Sequence, residues 1–215
     1  MPPRATIVLA SQNPGKIREI RQVLAPVGVD VIGLDAFGDI PEPAEDGSTF
    51  GDNARGKALY YARKTGLWCL ADDSGLVVDA LDGRPGVHSA RYAADELPAD
   101  AGRSELDAAN NAKLLRQLTG TPAERRSARF VCHLALADPE RILIETFDTV
   151  EGRIADFSRG DNGFGYDPLF YLPQLGCTSA ELPAEQKNAI SHRGKALRHL
   201  ADLLRSLLEG KASTG

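Results

Sequence analysis

Leu67-Trp68-Cys69-Leu70-Ala71-Asp72-Asp73-Ser74-Gly75-Leu76 sets five apolar residues directly before two carboxylates and a Ser-Gly pair. A short apolar run bounded by turn residues predicts a buried strand over Leu67–Ala71, with a second strand over Leu76–Leu81 after the turn. Two adjacent carboxylates at a strand exit cannot enter an apolar interior without a cation or hydrogen-bond donors. A hard ion such as Mg²⁺ suits them, because it takes oxygen ligands and is held by one or two carboxylates plus substrate phosphates. Asp-Ser-Gly is also ordinary turn chemistry, so a metal-binding strand end and a solvated turn both stand on this stretch alone.

Upstream, Thr6–Ala10 is β-branched and apolar, a buried strand, and Ser11-Gln12-Asn13-Pro14-Gly15-Lys16 breaks it. Asn13 suits an N-cap and Pro14 the first helical position; Ile17, Ile20, Val23 and Leu24 then give a helical apolar face. Residues 30–48 read as a short strand and a loop rich in prolines and acids. Thr49-Phe50-Gly51-Asp52 resembles a capping box, with Asp for the usual Glu, opening a helix to about Lys64 that Gly66 closes.

Downstream, residues 82–94 are loop-like and Ser104–Leu118 is helical. Ala128–Ala137 and Arg141–Val150 flank Asp138-Pro139-Glu140 as a hairpin. Residues 151–168 are glycine-rich and irregular, Leu169–Leu172 is a short strand, and a long amphipathic helix runs from Ser191 to about Glu209 before a fraying tail, Lys211–Gly215. Alternating strands and helices followed by a hairpin predict an α/β protein with a mixed sheet.

The 215 residues suit one large domain or two intimate lobes and support a core without disulfides or structural metal. A net charge of −5 disfavours a general nucleic-acid binder but allows a local basic pocket. Cys69, Cys132 and Cys177 are widely spaced, and two lie in apolar runs, as expected of buried thiols in a reducing compartment. No apolar run approaches the ~18 residues of a membrane span, and the N-terminus is too short for a secretory signal, so a cytoplasmic protein is expected.

Several loops carry chemistry. Ser11–Lys16 joins a buried strand to a helix start, where free N–H groups, the helix dipole and Lys16 favour an anion. It does not match G-x-x-x-x-G-K-[ST], and no G-x-G-x-x-G occurs, so P-loop and Rossmann enzymes are disfavoured. Asn53 and Lys57, four apart, share a helix face. Glu45, just before that helix, either complements its dipole or completes with Asp73 a two-carboxylate Mg²⁺ site facing phosphate.

Gly160–Pro168 places Phe164 and Tyr166 among glycines, and an aromatic face stacks on a base for roughly 1–3 kcal/mol; a glycine-rich loop with one aromatic tucked into the core is the alternative, against which the segment's acids and glycines argue. Ser191-His192-Arg193 opens the last helix, with Lys187 just before it. An arginine at a helix start opposes the dipole and suggests a ligand rich in acceptors, although a serine cap followed by surface charge also fits. His88, His133 and His199 receive no role, and Arg91 suits either a phosphate or open solvent.

Taken in order, Ser11-x-Asn13-x-x-Lys16, Thr49-Phe50-x-Asp52-Asn53-Ala54, Ala71-Asp72-Asp73-Ser74-Gly75-Leu76, Pro85–Tyr92, Gly163–Pro168 and Ala189–Gly194 resemble the non-canonical purine nucleoside triphosphate pyrophosphatase (inosine triphosphate pyrophosphatase) family. The likeness runs from about residue 6 to 209. It implies an elongated mixed sheet flanked by helices, one domain of two lobes with an active cleft between them, and a homodimer. It implies Mg²⁺-dependent hydrolysis of ITP, dITP and XTP to the monophosphate and pyrophosphate, with neither nucleic acid nor membrane as partner.

By position, the resemblance makes Ser11, Gln12, Asn13, Pro14, Gly15 and Lys16 the triphosphate loop. Asp73 becomes the catalytic acid/base and a metal ligand, and Glu45 its metal partner. Lys57 and Ser74 become phosphate or substrate contacts, and Phe164, Gly165, Tyr166 and Asp167 the base-stacking segment. Lys187, His192 and Arg193 become readers of the base edge. Gln12, Pro14 and Asp52 depart from the common pattern without touching this chemistry. Hypoxanthine and xanthine offer a C6 carbonyl to Arg193 and His192, whereas adenine offers an amino group, a donor facing donors. A nucleotide-binding module without catalysis, or a pyrophosphatase for pyrimidine or modified nucleotides, would share much of this pattern; pyrophosphate release from a panel of triphosphates separates them.

Overall fold

The computed structural model describes residues 5–212. Of the expected frayed tail, residues 213–215 lie outside the described residues. Twelve principal elements follow in order: β1 (Thr6–Ala10), α1 (Pro14–Leu24), β2 (Asp30–Gly33), α2 (Phe50–Thr65), β3 (Trp68–Val78), α3 (Arg103–Gln117), β4 (Ser127–Ala137), β5 (Ile142–Ile154), β6 (Phe170–Leu172), β7 (Cys177–Thr178), α4 (Ala184–Ile190) and α5 (His192–Ala212). The strands form one sheet in the order β2-β1-β3-β4-β5-β6-β7. β2 and β3 run parallel to β1, while β6 pairs antiparallel with both β5 and β7. The sheet is therefore mixed, as the alternation of elements predicts, with helices carrying the parallel crossovers.

Local chemistry sets the helix ends. Asn13 Oδ1 accepts from the N–H groups of Gly15 and Lys16, and Pro14 occupies the first position of α1. Thr49 Oγ1 accepts from Asp52 N at 3.1 Å and donates to Asp52 Oδ2 at 2.7 Å, so the short carboxylate closes a reciprocal cap. Gly66 ends α2 with φ +72°, a left-handed value that glycine adopts without strain.

Among the described residues one compact unit comprises the chain up to Asp73, Cys132–Asp148 and the stretch from Arg193 onward. In it, Ile7, Leu9 and Leu70 pack with Ile20 and Leu24 of α1 and Leu197, Leu200 and Leu204 of α5. Val8, Ala10, Cys69 and Ala71 pack instead with Ala54, Ala58 and Ala62 of α2. Successive side chains of a strand point to opposite faces, so β1 and β3 each feed both layers. The alanines of α2 recur every four residues and leave little bulk between helix and sheet. The other unit, Ser74–Val131 and Thr149–His192, is built around Leu76, Leu114, Phe130, Ile154, Leu169 and Phe170.

Two expectations are corrected. The strand expected to end at Ala71 continues through Asp72-Asp73-Ser74-Gly75 to Val78, 11 residues in all, and Asp79–Leu81 is a 3-10 turn rather than strand. Both aspartates are buried and both have partners, so neither forces the chain out into solvent. β5 also runs four residues past Val150. The short elements β7 and α4 carry too little periodicity to have been foreseen. Cys69 and Cys132 are buried and free, as expected. No helix among the described residues is long and apolar enough to cross a membrane.

Candidate active site

Continuation of β3 through the two aspartates decides the first half of the site. Leu70 faces α1 and α5, so Asp72, two residues on, faces them too; Ala71 faces α2, and so does Asp73. One strand thus delivers neighbouring carboxylates into two different environments.

Asp72 is the centre of an ion network. Its Oδ1 accepts from Lys16 Nζ, and its Oδ2 accepts from Arg193 Nε at 2.7 Å and from Cys132 Sγ at 3.5 Å. Arg193 Nη1 reaches Glu19 Oε2 at 2.7 Å. Burial alone would raise the Asp72 carboxyl, but the Arg193 guanidinium and the Lys16 ammonium outweigh it and hold it well below the usual carboxylate range. Arg193, expected to read the base edge, is 3 % exposed, and its guanidinium is paired with two carboxylates of the fold, Asp72 and Glu19. Its position at the start of α5 is explained by the carboxylates facing it. In the turn before α1, Asn13 is the N-cap, as expected, and its side chain takes up the N–H groups of Gly15 and Lys16. Ser11 Oγ accepts from Asn13 N at 3.2 Å, and Gln12 and Pro14 are exposed.

Asp73 sits opposite, against α2. Asn53 Nδ2 donates to Asp73 Oδ2 at 3.0 Å, and Asn53 Oδ1 accepts from Gly47 N at 2.9 Å. A side chain on Gly47 would lie 2.6 Å from Asn53 Oδ1, so glycine is needed for that approach. One turn along α2, Lys57 Nζ is paired with Glu45 Oε1. Desolvation raises the Asp73 carboxyl, the charges of Asp72 and Glu45 add to this, and Asn53 and Lys16 only partly oppose them. Adjacent carboxylates pushed in opposite directions are the physical signature of one permanent anion and one proton-accepting group.

No group of three or more His, Cys, Asp and Glu side chains is gathered as a metal cage among the described residues. Glu45 and Asp73 supply two carboxylates, and the way Glu45 and Asp72 hinder ionisation of Asp73 is what a nearby cation would relieve. Two carboxylates completed by phosphate oxygens and water fit Mg²⁺.

The second unit carries the aromatic residues. Asp167 is buried, and its Oδ2 accepts from Phe164 N at 2.8 Å and from Lys187 Nζ at 2.6 Å. The Lys187 ammonium lies 4.7 Å from the centre of the half-buried Phe164 ring. Gly163 has φ +81°, and a Cβ there would lie 2.2 Å from Asp167 Oδ2, so no other residue fits. His192 stacks on Phe130 with ring centres 5.0 Å apart and planes 18° from parallel. His192, Phe130, Asp167 and Lys187 line a small recess with Leu172 and Leu182. Tyr166 is a correction: it is 5 % exposed, packs in the core and donates its hydroxyl to Ser89 O at 2.9 Å. Burial raises its phenol far above the ordinary range. Acids and glycines at the segment's surface had masked a ring that the apolar core takes in.

Sequence reasoning singled out Asp72 and Asn53 without giving them separate roles, and it missed Glu19 altogether. Period-two alternation through an uninterrupted β3 would have separated the two aspartates. Nothing local marks Glu19 as the partner of Arg193, which lies 174 positions away.

The Ham1 family model matches residues 7–203. A dITP/XTP pyrophosphatase of Nitratidesulfovibrio vulgaris is 54% identical over 202 residues, 93% of this chain and 96% of its own length. One of Geobacillus kaustophilus is 51% identical over 97% of this chain and 98% of its own. Among solved structures, a HAM1 protein from Coxiella burnetii aligns with a TM-score of 0.83 at 43% identity, covering 94% of this chain and 99% of its own.

Proposed function

The chain belongs to the Ham1 family, and on that premise we propose that it hydrolyses dITP, XTP and ITP to the corresponding monophosphate and pyrophosphate, clearing these nucleotides from the pool. The similarity to the dITP/XTP pyrophosphatases supports the substrate class. The observation that carries the chemistry is the split pair on β3, an aspartate locked as an anion beside one with a raised proton affinity.

In the proposed reaction water attacks the α-phosphorus and pyrophosphate leaves. Asp73 takes the proton that the water releases, and Asn53, holding one carboxylate oxygen, leaves the other to face the water. Lys16 and Lys57 neutralise phosphate oxygens, each exchanging a carboxylate partner for the substrate; Ser11, Asn13 and Ser74 add donors. Mg²⁺ held by Glu45 and Asp73 would supply further charge stabilisation on the phosphate oxygens. Catalysis by this arrangement rests on positioning and charge rather than on a covalent intermediate.

For the base, Phe164 provides a stacking face, while Lys187 and His192 offer donors to a C6 carbonyl. Adenine places an amino group at that position, and a buried donor left facing a donor costs on the order of 1–3 kcal/mol. The family resemblance makes Arg193 a further reader of the base edge, and its guanidinium is also paired with Asp72 and Glu19. The family resemblance also supports a cytoplasmic homodimer of one two-lobed domain, which sedimentation of the purified chain would check.

The test is pyrophosphate release from dITP, XTP, ITP, GTP and ATP, with and without Mg²⁺. Release from the first three and little from ATP is the expected result. Nucleotide binding without release would assign the chain to the non-catalytic class instead.

A further inference from the structure

Helix α3 holds the loop that carries Phe164, with two side chains one turn apart. Asp107 Oδ2 accepts from Gly165 N at 3.0 Å, and Asn111 Nδ2 donates to Gly165 O at 2.9 Å. The two polar groups of a single peptide position are thus held from the same helix face. Arg103 Nε lies 3.1 Å from Asp107 Oδ1, placing a positive charge beside the carboxylate that does the holding. Gly165 itself has φ +62°, a conformation that a free glycine would leave readily. On one side of it Phe164 N is bound to Asp167, and on the other Tyr166 is anchored in the core. The fork on α3 is therefore a fixture on the glycine that follows Phe164.

We propose that Asp107 and Asn111 are positioning residues that set affinity for the nucleotide base by locking Gly165, and through it the ring of Phe164, in place before substrate arrives. The inference rests on the function proposed above and assigns to α3 a part in recognition that none of the loop motifs signals. A platform ordered in advance loses less conformational freedom on binding, so removal of the fork weakens binding without touching the phosphorus chemistry.

Steady-state hydrolysis of ITP by the full chain tests this. Loss of one such hydrogen bond is worth about 2- to 13-fold, so Asn111→Ala and Asp107→Ala should each raise KM by about that factor with kcat changed less than about twofold. Asp107→Asn keeps an oxygen acceptor for Gly165 N while losing the charge facing Arg103, and should restore KM to near that of the parent. Because the fork acts through Phe164, Asn111→Ala placed in a Phe164→Ala background should add nothing to the KM already raised. Additive effects on KM, an unchanged KM, or a parallel fall in kcat would overturn the inference while leaving the hydrolytic function standing. A parent chain that releases no pyrophosphate from ITP, dITP or XTP would overturn the proposed function, and this inference with it.

Discussion

Asp73 lies in a desolvated position under the influence of the charges of Glu45 and Asp72, so its ionisation works against the fold. Its folded pKa is raised above the unfolded value of about 3.9, so this penalty is absent below the unfolded pKa and fully present above the folded one. Asp73→Asn keeps an oxygen for Asn53 and removes the charge. In metal-free buffer at neutral pH the variant should melt above the parent, the gap closing as pH falls towards 4, while kcat falls by about 10²- to 10⁴-fold. A melting temperature unchanged at every pH would show that the carboxylate is not under strain. Asp72 has the opposite sign: its depressed pKa gives stability that is present above about pH 4 and lost on acidification. Arg193→Ala strips the main partner from a fully buried carboxylate, and breaking such a pair costs about 3–5 kcal/mol, read as a lower denaturant midpoint. A variant of parental stability would show that the pair is not what holds Asp72, and an altered ITP-over-ATP preference would support Arg193 at the base edge.

Helix α2 is the element that turns packing into chemistry. Ala54, Ala58 and Ala62 are fully buried against the sheet, and the neighbouring turns carry Asn53 to Asp73 and Lys57 to Glu45. Ala58→Leu should therefore cost about 1–3 kcal/mol by overpacking and should also lower kcat, because both carboxylates take their alignment from this helix. If unfolding by urea shows the loss but kcat is parental, the alignment does not depend on how closely α2 approaches. This helix was legible in the sequence from Thr49 to Gly66, since capping residues, periodicity and a glycine stop are all local signals. β3 was only half legible. Charged residues normally end a buried strand, and the reason these do not is the presence of Lys16, Arg193 and Asn53, none of them near in sequence.

For the molecule as a whole, the alternation of elements predicted an α/β protein with a mixed sheet, and the seven-stranded mixed sheet agrees, while the nucleotide chemistry came from the family resemblance carried by the order of motifs. A divalent ion bound by Glu45 and Asp73 should stabilise the native state by mass action. Titrating Mg²⁺ into the apo chain should raise its melting temperature, and the rise should vanish in Asp73→Asn. An equal rise in both would place the ion elsewhere.

Strands, caps, glycine stops and the set of phosphate-loop and aromatic motifs were written into the sequence, because each depends on residues within a turn or two of one another. Which carboxylate became the permanent anion, that Arg193 pairs with Asp72 and Glu19, and that Tyr166 belongs to the core were decided only by tertiary structure. A charge's proton affinity and a ring's burial depend on what packs against them, and in this chain those neighbours come from as far as 174 positions away.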